Sequence, residues 1–172
     1  GSDNDRSVIN FDSKNIFFNP KIGFNFKLNP TSNIYSSISV ANREPIRIDF
    51  LDSYEKPKHE TLYDFEFGYN INYKLGFFKT NLYWMEYKNQ LITTGELNDV
   101  GGYIRTNAKK SRRVGIEILN RIIIKKFNIS SSLTLSKNFV YDFNEILYDY
   151  GNDFNQYNII KNTYLKSNIA FS

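Results

Sequence analysis

Leu62-Tyr63-Asp64-Phe65-Glu66-Phe67-Gly68-Tyr69-Asn70-Ile71-Asn72-Tyr73 is the stretch on which the fold turns. Tyr63, Phe65, Phe67, Tyr69, Ile71 and Tyr73 are aromatic or aliphatic, and the residues between them, Asp64, Glu66, Gly68, Asn70 and Asn72, are not. Side chains two apart share one face of an extended chain. The stretch therefore reads as a strand between two different solvents.

The same alternation returns on both sides of it. Residues 127–137 set Phe127, Ile129, Ser131, Leu133 and Leu135 against Asn128, Ser130, Ser132, Thr134 and Ser136. Before them, Val114, Ile116, Ile118, Ile122 and Ile124 oppose Arg113, Gly115 and Glu117, while residues 21–28 and 34–40 alternate more weakly. Residues 78–87 are apolar but mixed. Six strands are expected, joined by short turns at Asn29-Pro30-Thr31-Ser32, Lys74-Leu75-Gly76 and Lys125-Lys126. Long polar connections are expected over 42–61 and 89–110 and from 138 onward.

Short and long connections that alternate along the chain are the habit of a transmembrane β-barrel, with tight turns at one rim and loops at the other. Strand length agrees, since about 10 residues at roughly 3.3 Å each, tilted about 40°, rise about 25 Å, the height of a barrel's apolar band. An antiparallel sandwich with one wet face also alternates, and it is the soluble alternative. Six strands do not close a barrel, so the expected fold is all-β, an antiparallel transmembrane β-barrel segment over residues 1–172 belonging to a larger wall.

Composition supports membrane strands of this kind. Aromatic residues make up 17% of the chain, yet its mean hydropathy is −0.48, a combination that suits strands with one apolar and one wet face. The longest aliphatic run is Ile122-Ile123-Ile124, far short of a spanning helix. The absence of cysteine excludes disulfides, thiolate metal sites and a thiol nucleophile. A net charge of +4 with the signs interspersed does not point to a nucleic-acid partner. The first residues, Gly1-Ser2-Asp3-Asn4-Asp5, do not form an export leader, so any leader is expected outside this sequence.

Several segments resemble the TonB-dependent outer-membrane receptors, in the later part of their barrel. Ser39-Val40-Ala41-Asn42-Arg43-Glu44-Pro45, followed by Asp49-Phe50, is similar to a strand end leading into a loop of these receptors. The segment from Lys58-His59-Glu60 to Glu66-Phe67-Gly68 is similar to the family's P-E-x-x-x-x-x-E-x-G pattern, with His59 where proline is common. The segments from Asn81-Leu82-Tyr83-Trp84 to Asn89-Gln90-Leu91 and from Thr94-Gly95-Glu96-Leu97 to Asp99-Val100-Gly101 are further matches, and Asn107, Ser111, Gly115 and Glu117 fit N-x-x-x-S-x-x-x-G-x-E. The resemblance implies a barrel of about 22 strands filled by a plug, importing a scarce ligand with energy from TonB. It further implies outer-membrane localisation, with partners that are the TonB complex, the protein's own plug domain, outer-membrane lipid and lipopolysaccharide, and a small ligand such as a ferric siderophore. The plug, the TonB-contacting region and the last strands are expected to lie outside these residues.

No enzyme, cofactor or metal is expected. His59 is the sole histidine and falls in an expected loop, where it reads as solvated and not as a catalytic or metal-binding group. Asp64, Glu66, Arg113 and Glu117 read as lumen-facing charges, which a polar lumen tolerates and a lipid face does not. Arg43, Arg47, Tyr103, Arg105 and Tyr148 are the candidate ligand-binding residues, in expected loops, because arginine and tyrosine combine large contact area with polar groups. Tyr141, Tyr150 and Tyr157 populate the last loop beside Tyr148. Arg105, Lys109, Lys110, Arg112 and Arg113 read as a basic loop able to attract an anionic ligand, lipopolysaccharide phosphates or nucleic acid. A passive porin or a soluble β-sandwich binding module are the competing functions.

Overall fold

The computed structural model describes residues 16–52, 55–98, 101–148, 157–165 and 169–171, with side chains described for 16–50, 55–98 and 101–143. The chain folds as β1 (Lys21–Asn29), β2 (Ser32–Arg43), α1 (Arg47–Asp52), β3 (Glu60–Tyr73), β4 (Gly76–Leu97), β5 (Tyr103–Ile124), β6 (Phe127–Tyr148), β7 (Tyr157–Leu165) and β8 (Ile169–Phe171). All eight strands lie in one antiparallel sheet in chain order, with β8 following β7 along the same edge of β6. The six expected strands are β1 to β6. With every described strand in one sheet, no second layer covers the apolar face, and the described residues form no sandwich.

Three tight turns fall where the sequence puts them. Asn29 accepts from the Thr31 amide and hydroxyl through its side-chain oxygen, which fixes the first turn. At the second, Gly76 passes so close to β5 that a Cβ would lie 1.8 Å from the Arg121 carbonyl oxygen. In the third, Lys125 adopts φ 54°, the left-handed conformation of a two-residue hairpin.

Register makes the two faces continuous across strands. On one face Phe24, Ser36, Phe67, Leu82, Ile116 and Leu135 lie side by side, flanked by the row Ile22, Ile38, Phe65, Trp84, Val114 and the row Phe26, Ile34, Tyr69, Thr80, Ile118, Leu133. Phe24, Phe65, Phe67, Leu82 and Trp84 are exposed. The opposite face carries rows such as Gly23, Ser37, Glu66, Tyr83, Gly115, Ser136. The mixed pattern of 78–87 is explained here: Tyr83, Met85 and Tyr87 occupy the polar face and Glu86 the apolar one.

The long connections differ from expectation. Residues 89–110 are mostly strand, since β4 runs to Leu97 and β5 starts at Tyr103, and β6 continues to Tyr148 before β7 and β8. A strand of 22 residues rises about 55 Å at that tilt, about twice an apolar band. Half of it projects into water, where both faces can be polar and no alternation is imposed. Hydrogen bonding to its hairpin partner holds it nonetheless.

The change of regime is marked in the backbone. Asn42, Thr61, Lys88, Lys110 and Tyr141 form the last row shared by β2 to β6. In the next residue Asn89 takes φ 52° and Asp142 takes φ 51°, the left-handed region that Asn and Asp enter most readily among non-glycines. Beyond this row β5 pairs only with β4, and β6 pairs with β7.

Candidate functional site

The polar face is built from side chains that lie along it. Tyr35 stands opposite Gly68, its ring covers that glycine, and its hydroxyl donates to Asn81 Oδ1 on the next strand at 3.0 Å. Tyr83 lies over Gly115 in the same way. A Cβ on Gly68 would fall 2.2 Å from the Tyr35 ring, and one on Gly115 2.3 Å from the Tyr83 hydroxyl. Both tyrosines lie flat because their cross-strand partner has no side chain.

The remaining polar-face residues pin strands to one another. Glu66 accepts from Ser37 Oγ at 3.2 Å. Glu60 pairs with Arg43 Nε at 2.6 Å and accepts the Leu91 amide at 3.1 Å. Asn107 accepts from the Lys58 amide and donates to the Lys58 and Asn89 carbonyls. Ser111, almost wholly buried, donates to Gln90. Arg113 donates to Asn138 at 2.8 Å, and Glu117 faces Asn81 and Thr134 across the ladder. Asp64 shares the face between Ser39 and Met85, with one buried oxygen making no hydrogen bond among the described residues. Asp64, Glu66, Arg113 and Glu117 thus lie on one face.

At the end with long connections, α1 packs against β5. Asp49 is buried, forms an ion pair with Arg105 Nη2 at 2.6 Å, and accepts the Ile46 amide at 2.8 Å at the start of the helix. Arg47 is the first residue of α1, and Arg43 ends β2, so neither lies in an irregular loop as the sequence suggests. Tyr103 opens β5 and is 68% exposed. Tyr148 ends β6, but its side chain, like that of Tyr157, lies outside the described residues, as does Tyr150 altogether. His59 is exposed and stacks obliquely on Phe17, ring centroids 5.2 Å apart. No group of three metal-ligating side chains occurs among the described residues.

The basic run from Arg105 to Arg113 is a strand and not a loop. Strand periodicity sends Arg105, Lys109 and Arg113 to one face and Lys110 and Arg112 to the other. The alternation from Val114 onward gives the face of Arg113, but the sequence gives no parity for Arg105, Lys109 and Lys110, because β5 starts at Tyr103 in a stretch that reads as a loop. Asp49 was missed for a related reason, because its partner lies 56 residues away on another element.

A meander of antiparallel strands with one continuous apolar face, one polar face and tight turns at one rim is a strip of a transmembrane β-barrel wall. The TonB dependent receptor-like β-barrel family model matches residues 2–168, and the chain belongs to that family. Among solved structures, the FrpB iron transporter from Neisseria meningitidis (F3-3 variant) is similar to it, with a TM-score of 0.56 and 19% identity. That match covers 71% of this chain and 20% of the transporter, so the chain spans about a fifth of its length. No curated relative matches the chain.

Proposed function

We propose that the chain is one wall segment of an outer-membrane receptor that imports a scarce ligand, a ferric siderophore in the first place, with energy delivered through TonB. The observation that carries this reading is the family match over residues 2–168, which coincides with the two-faced sheet. In the closed barrel the apolar face meets lipid and the polar face meets a plug, to which Asp64, with its unbonded oxygen, offers an acceptor. The end carrying α1 faces the outside. There Arg43, 59% exposed despite its pair with Glu60, stands with Arg47 and Tyr103 as the groups offered to an anionic ligand, while Arg105, held by Asp49, is proposed with them from its place on the same end. Tyr148 is proposed with them from its sequence alone.

The test uses cells whose sole high-affinity iron source is a radiolabelled ferric tris-catecholate entering through the intact receptor. Replacing Arg43 and Arg47 together by alanine is expected to lower uptake several-fold with the amount of folded barrel unchanged, and removing TonB abolishes uptake. Unchanged uptake in the double variant removes the two arginines from the ligand site. Uptake that persists without TonB favours a passive pore.

A further inference from the structure

The chain between β2 and β3 touches the outer part of the β4–β5 hairpin at two levels. At its base, Asn107 accepts from the Lys58 amide at 2.7 Å and donates to the Lys58 carbonyl at 2.9 Å, while Glu60 accepts the Leu91 amide at 3.1 Å. Further out, Asp49 of α1 pairs with Arg105 at 2.6 Å. Leu91 stands opposite Asn107 and Thr93 opposite Arg105, and Asn107 and Arg105 share the parity of Arg113 and Gly115. Both contacts therefore lie on the side that faces the bore, which an incoming ligand meets first.

The two levels respond differently to an anion. Those at the base run to backbone amides and a carbonyl, which carry no net charge for an anion to seek. The outer one is an ion pair whose cation can be contested. Its exposure is lopsided: the Arg105 side chain is 26% exposed and that of Asp49 2%. A ligand thus reaches the guanidinium and not the carboxylate behind it. Once Arg105 turns to the ligand, Asp49 cannot stay in place, because a buried charge that loses its partner is costly. Asp49 also accepts the Ile46 amide at 2.8 Å, so α1 must open to let water reach it. We infer that Asp49 is a specificity-determining residue, a built-in competitor that occupies Arg105 and sets the charge a ligand must bring to displace it. A single carboxylate gives Arg105 no more than Asp49 already does, and nothing is left to offset the opening of α1. A multiply charged anion gives more. The inference rests on the anionic-ligand reading above and adds the rule by which the site refuses weaker anions.

Binding to the intact receptor is measured with three probes of similar size: trianionic ferric tris-catecholate, neutral ferric tris-hydroxamate, and the same hydroxamate bearing one carboxylate. Wild type is expected to prefer the trianion, with the other two alike. Asp49→Asn keeps an acceptor for Ile46 but removes the competing charge, so it is expected to tighten trianion binding at least about fivefold, the lower end of usual coupling between linked equilibria. The neutral probe is expected to be unmoved. In wild type the trianion is expected to speed amide exchange at Ile46 and Asp49 and to leave Lys58 and Leu91 protected. Should Asp49→Asn not fold, judged by heat-modifiable migration, Asp49→Ala is read in its place. A role in merely positioning Arg105 predicts unchanged or weaker trianion binding in the variant. That result, equal tightening for the neutral probe, or exchange at Ile46 untouched by the trianion would overturn the inference and leave the import reading standing. Binding of the trianion by neither wild type nor variant overturns both.

Discussion

The two halves of the β4–β5 hairpin obey different rules. Below the row of Lys88 and Lys110, the strands belong to a sheet of at least six and each residue faces one of two solvents, so β5 alternates from Val114 to Ile118 while β4 is mixed. Above it they form a two-stranded ribbon, and the side chains buried there are few: Leu91, Ile104 and Ala108, with Thr94 donating to the Ile104 carbonyl at 3.2 Å. The lower half is specified by the solvent on each face, and the upper half by individual contacts such as Asp49 to Arg105. Substitutions in the two halves should therefore fail differently.

Placing a cation on the apolar face tests the lower half most severely. In the intact receptor Phe67→Arg is expected to lower stability by about 2 to 4 kcal/mol near the bilayer midplane, and Asn70→Arg, on the opposite face, by much less. Denaturant titration in bilayers measures the difference. A fluorophore on Phe67→Cys should be quenched by a lipid-soluble quencher, and one on Asn70→Cys should not. Equal quenching at both would remove the physical basis of the two-faced wall.

A smaller effect is expected on the polar face of the same half. Gly68→Ala places a methyl group inside the Tyr35 ring position, so the ring must swing away and lose its hydrogen bond to Asn81, a cost of about 1 to 2 kcal/mol. Combining it with Tyr35→Ala should cost less than the two separate changes together, because the clash is gone. Additive losses would show that the ring does not lie over the glycine.

The smallest global effect belongs to the upper half. Asp49→Ala removes the partner of Arg105 and the acceptor of the Ile46 amide, yet barrel stability should change by less than about 0.5 kcal/mol, because a ribbon can open without the sheet. Faster hydrogen exchange and proteolysis confined to α1 and the start of β5 are the expected signature. A loss spread over β1 to β6 would merge the two halves into one cooperative unit.

This division also explains what could be read from the sequence. Wherever two solvents flank a strand, as at Phe65, Ile116 or Leu133, the period of two is visible, and the three tight turns punctuate it. In the upper half that constraint lapses, so β4 past Asn89, β5 before Lys110 and β6 past Asn138 read as loops although they are strands. The motif residues were legible as positions but not as roles. Glu60 ties three strands together, Asn107 and Ser111 anchor the base of the ribbon, and Gly68 and Gly115 make room for tyrosines. Arg43 and Arg105 illustrate the limit, because their residue types invite a ligand and their nearest neighbours are Glu60 and Asp49.

The paired glycines and tyrosines have a mechanical consequence. A tyrosine pointing straight into the bore would be a peg against which any inner body must lock. Laid flat over Gly68 and Gly115, Tyr35 and Tyr83 instead form a low, even surface, with the Tyr35 hydroxyl already engaged by Asn81 and turned along the wall. Such a surface works like a bearing: at these two positions it offers broad ring contact with little relief, and a side chain added at either glycine would turn it back into a peg.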